Sequence, residues 1–328
     1  MSADMMSNHP SSPPQPDQNT GREQEVAPVL SILIVTYNSR DFILDCIDSV
    51  IRHTSRTPYE ILLVDNGPDG SGELVRRERP SVHILEPIGN VGFGAGNNYL
   101  AKAARGEFLL MLNPDTTLRD DAIDRLVEFA RDFPQASAWG GRTITKADWF
   151  DGGNRIAIPT LPKLFAEVVG RQPKDHNRTD RHGITAPYRV DVLCGGYMMM
   201  KRDMWDKLGG FDPEFFLYFE EVDLFTRLRT MGGEAWVKPD SIIVHDVGSG
   251  NPFDPKRLNF IALGQMHYIR KHWNRAAQTI AMVLIWLAAV RRMTQGLLLG
   301  AFKPTKRAQF RGYAGIVFSP GSWKNGYQ

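Results

Sequence analysis

Val29-Leu-Ser-Ile-Leu-Ile-Val35 is a short, almost wholly apolar run that stops at the polar turn Thr36-Tyr-Asn-Ser39. A run of this length, rich in branched side chains and closed by turn formers, reads as a strand buried on both faces. Asp41 to His53 follows with Phe42, Cys46, Ile47 and Val50 at helical spacing, and Tyr59-Glu-Ile-Leu-Leu-Val64 then repeats the strand pattern and closes on Asp65-Asn66-Gly67. Strand, helix and strand in that order make a βαβ unit.

The alternation continues outward. Val82–Leu85 and Phe108–Leu112 read as strands, Gly96–Ala104 and Asp120–Arg131 as helices. The fold class expected is α/β: a Rossmann-like, mostly parallel open sheet flanked by helices, with ligands at the carboxyl ends of its strands. Residues 140–190 are rich in Gly, Pro and charge, lack clear periodicity and are expected to be loops and edge elements; order resumes at Val190–Met200. No internal repeat of useful length is present. Residues 1–28 hold Pro10, Pro13, Pro14, Pro16 and Pro28 among polar residues, with almost nothing to bury, which predicts a disordered leader. That leader has no apolar core of the kind a secretory signal needs, so the bulk of the protein is expected in the cytosol.

The whole chain has 328 residues, 42% hydrophobic and 23% charged, which excludes collagen-like, wholly disordered and disulfide-scaffold classes. Two cysteines, Cys46 and Cys194, are too few for a zinc site of their own or a disulfide framework, and a reducing compartment is the simplest setting. The net charge of +2 conceals a division along the chain. Residues 256–328 carry 12 basic residues and no acid, whereas the first 255 carry 27 basic and 37 acidic. An acidic body with a basic tail points to an anionic partner.

Three polar clusters fall where strands should end: Thr36-Tyr37-Asn38, Asp65-Asn66 and Asn113-Pro114-Asp115. In an α/β sheet such ends converge on one edge, so the clusters can share a pocket; singly, each is an ordinary turn former. The loop Gly89-Asn-Val-Gly92-Phe-Gly-Ala-Gly-Asn97-Asn98 has four glycines in eight positions, which permits close backbone approach to a ligand. Its spacing and its place after a later strand both fail the dinucleotide fingerprint, and no Gly-Lys-Ser or Gly-Lys-Thr phosphate loop occurs.

Further on, Gly209-Gly-Phe-Asp-Pro-Glu-Phe-Phe-Leu-Tyr-Phe-Glu220-Glu221-Val-Asp223 crowds aromatic side chains against three carboxylates at an expected helix start. Apolar walls raise a carboxyl pKa and can make a general base; the plainer alternative is that these acids cap the helix, with Asp223 and Arg227 as an i,i+4 pair. Ser241-Ile-Ile-Val-His245 ends another apolar strand on an imidazole. A neutral imidazole beside Asp115 would suit a borderline divalent ion such as Mn²⁺, although a lone histidine is more often a packed or surface residue.

In this order the motifs resemble those of inverting family 2 glycosyltransferases with a GT-A fold, particularly the bacterial rhamnosyltransferase-like branch, over roughly Leu30 to Trp273. The resemblance implies that Thr36, Tyr37 and Asn38 border the nucleotide, and that Asp65 hydrogen-bonds a pyrimidine base. Asn66, Gly92, Asn97 and Asn113 fall on the same donor side. Asp115 takes the last position of the family's Asp-x-Asp motif and coordinates Mn²⁺ or Mg²⁺ on the diphosphate; the first position here is Asn113, one carboxylate fewer. His245 matches a metal ligand that compensates. Glu221 stands where the family has the Asp of a Glu-Asp pair and becomes the general base, with Glu220 and Asp223 as substitutes. Gly195, Gly196 and Tyr197 resemble the acceptor-side segment.

Residues 276–328 complete the expected organisation as an amphipathic helical tail behind a catalytic domain at 29–275. Ile280-Ala-Met-Val-Leu-Ile-Trp-Leu-Ala-Ala-Val290 is eleven apolar residues, only about 16 Å of helix against a bilayer core of about 30 Å. Arg291 and Arg292 interrupt it, and Lys303, Lys306, Arg307 and Arg311 follow, which favours an interfacial helix on anionic lipid over a core helix packed on the domain. Nucleic acid is a poorer partner because no recognition motif accompanies the charge. The expected function is a metal-dependent transferase at the inner face of the cell membrane, moving L-rhamnose or another hexose from a nucleotide-diphospho sugar to a lipid-linked or polysaccharide acceptor of the cell surface. The alternative is a catalytically weak nucleotide-sugar-binding protein of the same fold. A nucleotidyltransferase would need a basic, Gly-rich loop after the first strand, and that loop is missing.

Overall fold

The computed structural model describes residues 27–146, 156–171, 185–245 and 252–327, so nearly all of the expected leader lies outside the described residues. The opening strand forms as the apolar run dictates: β1 (Leu30–Thr36) pairs in parallel with β2 (Tyr59–Asp65) and with β4 (Phe108–Leu112). Ile32 and Ile34 pack into one hydrophobic cluster and Leu33 into the other, because alternate residues of a strand face opposite sides. The short β3 (His83–Ile84) joins the far side of β2.

Helices α1 (Ile43–His53) and α4 (Ala122–Asp132) cover one face. α3 (Phe93–Ala103), α6 (Arg202–Leu208) and α7 (Glu220–Thr230) contribute to the other. α2 (Ser71–Glu78) goes unseen in the sequence reading: it buries only Ser71, Gly72 and Val75, too little to print a periodic signal.

Among the described residues nine strands make one sheet in the order β3-β2-β1-β4-β8-β6-β9-β5, with β7 (Tyr188–Val190) also on β9. The first four neighbours are parallel, as expected. Beyond them the sheet is mixed: β8 (Tyr197–Lys201) runs antiparallel to both β4 and β6 (Ala138–Ile144), and β9 (Ala235–His245) runs parallel to β6. The expectation of loops and edge elements over 140–190 therefore needs correction at its start, because β6 lies inside the sheet between β8 and β9. Gly140 and Gly141 hide it from the sequence, and they are required: a Cβ at Gly141 would lie 2.2 Å from Ser241 O. The same region holds α5 (Leu161–Val168).

Chain order turns at β1, whose neighbours β2 and β4 lead away in opposite directions, leaving a crevice at the carboxyl ends of β1 and β4. β5 (Thr116–Arg119) follows β4 after three residues and pairs antiparallel with the end of β9, setting Thr116 opposite His245. The C-terminal segment folds back on the body as α8 (Pro255–His272), α9 (Arg275–Leu299) and α10 (Pro304–Phe318). Ala281, Ile285, Ile316, Val317 and Trp323 share one hydrophobic cluster with Leu33 of β1.

Candidate active site

The crevice opens into a cleft of about 1110 Å³. One wall is made by strand ends and the glycine loop, with Tyr37, Asn38, Asn66, Gly92, Asn113 and Asp115 among its residues. Tyr37 is 55% exposed there, an aromatic side chain left open among the residues lining the cleft. Asn38 holds a left-handed φ of 52°, which Asn tolerates better than most residues and which turns the chain sharply off β1. Asn66 donates from Nδ2 to Gly92 O at 3.1 Å, while its Oδ1 is buried without a partner. Gly92 has φ +85°, and a Cβ there would lie 2.0 Å from Phe216 O, so the loop packs this closely only with glycine.

Thr36 and Asp65 stand behind this wall. Asp65 accepts from Thr36 Oγ1 at 2.8 Å, Gly67 N at 3.0 Å and Gly72 N at 2.7 Å, tying the ends of β1 and β2 to the first turn of α2. Asn97 is fully buried and donates to Phe93 O at 3.0 Å. Neither these three nor Tyr197 lines the cleft. Tyr197 is 1% exposed, and its hydroxyl meets Ser241 Oγ at 2.8 Å, so it packs in the core rather than facing an acceptor.

The pairing of β5 with β9 brings two motifs together that lie far apart in sequence. His245 Nε2 lies 3.2 Å from Asp115 Oδ1, and Asn113 Nδ2 lies 3.4 Å from the same nitrogen. Asn113 is fixed through its backbone: its N–H donates to Gly196 O at 3.1 Å, and its carbonyl accepts from Thr116 Oγ1 at 2.7 Å. Cys46 Sγ packs 3.5 Å from the same carbonyl; burial pushes its thiol up to about 12, so it remains protonated and is no metal ligand. Gly196 is needed here because a Cβ would meet Asn113 Nδ2 at 2.9 Å.

One residue earlier, Gly195 N–H donates to Glu221 Oε1 at 3.2 Å. Gly195 and Gly196 thus form a strap whose ends touch Glu221 and Asn113. Burial raises the Glu221 carboxyl above the ordinary range, against the lowering effect of backbone N–H groups, including that of Gly195. Glu220 is 2% exposed, has an unpartnered buried Oε2, and is raised further, first by burial and then by the charge of Glu221. Asp223 behaves oppositely. Burial would raise it, but hydrogen bonds from His272 and Lys271, then the charge and hydrogen bond of Arg227, hold it well below the usual carboxylate range. The distances are 2.8, 2.7 and 2.8 Å. Engaged by these three donors, the Asp223 carboxylate anchors α7 to α8.

The turn before α7 is strained, with Tyr218 at φ 67° and Phe219 at φ 72°, on the order of 1–2 kcal/mol for each non-glycine residue in this region. It is clamped from the C-terminal side. A Cβ at Gly264 would lie 2.4 Å from Tyr218 O, and the Tyr327 hydroxyl donates to Leu217 O.

The second wall of the cleft was not foreseen. Phe216, Leu217 and Tyr218 precede α7, Lys256, Asn259 and Phe260 come from α8, and Ile316, Ser319 and Ser322 come from the end of the chain. Among the described residues lining the cleft, Lys256 is the one cation and Asp115 the one acid. No motif marks this wall in the sequence. A separate trio, Asp212, Glu214 and His267, gathers ligand atoms within 4.8 Å of one another, but Lys271 Nζ already sits 2.5 Å from Asp212 Oδ2, which makes it an ion-pair cluster.

Comparison with known proteins gives a concordant picture. The family described as "Glycosyl transferase family 2" matches residues 31–209, more than half of the chain. The N-acetylglucosaminyl-diphospho-decaprenol L-rhamnosyltransferase of Mycobacterium tuberculosis is 26% identical over 247 residues, covering 69% of this chain and 79% of that protein. Two solved structures share the fold. A mannosyltransferase from Pyrobaculum calidifontis, in complex with GDP-Man and Mn²⁺, superposes with a TM-score of 0.59 at 18% identity, over 91% of this chain and 87% of that one. GalNAc-T7 with UDP, GalNAc and Mn²⁺ gives 0.56 at 17% identity, over 91% and 58%.

Proposed function

The chain belongs to glycosyl transferase family 2 and is a glycosyltransferase, and we propose that it moves L-rhamnose, with inversion, from a nucleoside-diphospho sugar to a lipid-linked acceptor of cell-surface glycan synthesis. The observation that carries this reading is the 3.2 Å approach of His245 Nε2 to the cleft-lining Asp115 Oδ1, next to the Gly195-Gly196 strap that contacts both Asn113 and Glu221; His245 and Glu221 are not themselves among the residues lining the cleft. The sugar and the acceptor class are supported by the printed activity of the mycobacterial relative. The proposed setting for this reaction is the inner face of the cell membrane. Glu221 and His245 lie beyond the matched span, so their roles rest on geometry.

The residues fit a divalent ion. One carboxylate oxygen and one imidazole nitrogen within 3.2 Å of each other can share Mn²⁺ or Mg²⁺ and leave its remaining positions to phosphate oxygens. Held by Asp115 and His245, the ion would supply positive charge to the departing diphosphate. Tyr37 offers a ring for a nucleobase, and the unpartnered Oδ1 of Asn66 offers an acceptor on the donor side. Lys256 faces the same cleft and carries further positive charge toward phosphate.

The transfer itself is one displacement. The acceptor hydroxyl oxygen bonds to the anomeric carbon, the bond from that carbon to the phosphate oxygen breaks with its electron pair leaving on the nucleoside diphosphate, and the hydroxyl proton passes to Glu221. A glutamate raised by burial is a stronger base than one in water, and burial raises Glu221.

Nucleoside-diphosphate release tests this reading, with dTDP-rhamnose beside UDP- and GDP-sugars, Mn²⁺ or Mg²⁺, and a polyprenyl-diphospho-sugar acceptor. Turnover confined to dTDP-rhamnose and lost in Glu221→Gln and Asp115→Ala is the expected result. Turnover with a different sugar overturns the rhamnose assignment alone; absence of metal-dependent binding by every donor overturns the whole.

A further inference from the structure

α9 meets the rest of the molecule on one side only. Ala281, Ile285, Ala288 and Ala289 are buried, and α5, α8 and α10 pack on the helix. Arg291 and Arg292, which divide the apolar run in the sequence, turn to that packed side. Arg291 Nε donates to Glu167 O at 3.1 Å, and Arg292 Nη2 donates to Glu167 Oε2 at 3.0 Å.

The opposite side is mostly apolar, with the exposed Thr294 as a break between Leu287 and Leu297. Ile280, Val283, Leu287 and Leu298 recur at spacings that keep them on one face of an α-helix, and they are 50%, 46%, 37% and 68% exposed. Trp286 and Leu297 border the stripe, and Leu299 and Phe302 extend it around the turn into α10. From Ile280 to Leu299 the stripe covers about 30 Å of the helix. An exposed apolar surface of this size marks an interaction site.

The charge nearby selects the partner. Lys303, Arg307 and Arg311 are exposed on the turn and on α10, Arg275 is exposed at the start of α9, and no acid follows Asp254. Pairing this face with a second copy of itself would bring like charges together without compensation. Crossing a bilayer would strip Arg291 and Arg292 from Glu167 and the buried alanines from α5, α8 and α10.

We propose that the outward face of α9, with the turn Leu297–Phe302, lies in the surface of an anionic phospholipid bilayer, the apolar stripe at the acyl boundary and Lys303, Arg307 and Arg311 on lipid phosphates. The inference deepens the lipid-linked acceptor reading and rests on it for its purpose. It also moves the membrane contact from the Ile280–Val290 segment as a whole to one face of it and to the turn beyond.

The full chain is centrifuged with phosphatidylcholine vesicles, with and without phosphatidylglycerol, at low and high salt. The expected result is binding to the anionic vesicles that weakens with salt, a loss of at least tenfold in Val283→Asn/Leu287→Asn/Leu298→Asn, and a loss of the anionic preference in Lys303→Gln/Arg307→Gln. All five positions lie outside the cleft, so thermal melting and nucleoside-diphosphate release from a soluble acceptor should match wild type. Three results overturn it: no binding to either vesicle, a concentration-dependent dimer that the triple variant abolishes, or resistance of the cellular protein to alkaline carbonate extraction, which marks a spanning helix. Vesicle binding by a chain that turns over no donor would instead sink the catalytic reading and leave this one standing.

Discussion

Gly195 N–H donates to Glu221 Oε1 at 3.2 Å, and a Cβ on Gly195 would come within 2.8 Å of that same oxygen and of Phe93 Cε1. The hydrogen bond that aims the base is available only to a residue without a side chain. Gly195→Ala should therefore displace Glu221 and press on Phe93, which lines the cleft. A displacement of about 1 Å costs on the order of 10²-fold in rate. Steady-state kinetics should show that loss in kcat, with any rise in donor KM reporting the shift of Phe93; an unchanged kcat would mean that Glu221 is not the base.

Glu221 and Glu220 separate by pH. Glu221 must be ionised to accept a proton, and burial raises its pKa, so kcat/KM should fall as pH drops through an apparent value above the ordinary glutamate range. Glu221→Gln should lose about 10²–10⁴-fold in kcat, and Glu220→Gln should stay near wild type. For stability the sign follows from Glu220's raised native pKa: its contribution is present below the ordinary glutamate value and is lost as pH rises through the native value. Thermal melts across pH should accordingly favour Glu220→Gln over wild type increasingly toward alkaline pH. A constant difference would show that Glu220 does not titrate.

Asp115 and His245 should act as one unit toward the ion. Loss of groups that merely orient metal ligands typically costs 10–100-fold in affinity, and loss of a ligand itself should cost at least as much. Mn²⁺ affinity in the presence of a nucleoside diphosphate, read by electron paramagnetic resonance, should fall by that amount in Asp115→Asn and in His245→Ala, and little further in the double variant. Full affinity in His245→Ala would remove the imidazole from the site.

The parallel half of the sheet was legible because each strand there is an apolar run closed by a polar turn. The convergence of polar clusters at its carboxyl edge followed from that topology, although Thr36 and Asp65 stand behind the cleft wall rather than lining it. The strap was legible only as a pair of glycines, and its contact with Glu221 depends on how β8 enters the sheet beside β4. β6 escaped because Gly140 and Gly141 interrupt its pattern. The second wall of the cleft was hidden for a different reason: Lys256, Phe260 and Ile316 reach it by the folding back of α8 and α10, and long-range packing leaves no local spacing to read. In the tail, the sequence showed Arg291 and Arg292 as a break, and the structure turns both inward onto Glu167.

Asp223 ties the helix that carries Glu221 to α8, accepting from Arg227 on its own helix and from Lys271 and His272 across the gap. Its carboxylate is fully buried, so removing its charge leaves three donors gathered around a neutral group. Loss of one member of such a buried cluster costs about 3–5 kcal/mol. Asp223→Asn should therefore lower the unfolding free energy by that amount at neutral pH, measured by urea denaturation. Because the native pKa is depressed, this contribution is present above the ordinary aspartate value of about 3.9 and is lost as pH falls through the native value. The gap between wild type and variant should hold steady from neutral pH down to that range and close below it. A gap that persists unchanged at the acid end would show that Asp223 stabilises by shape rather than by charge.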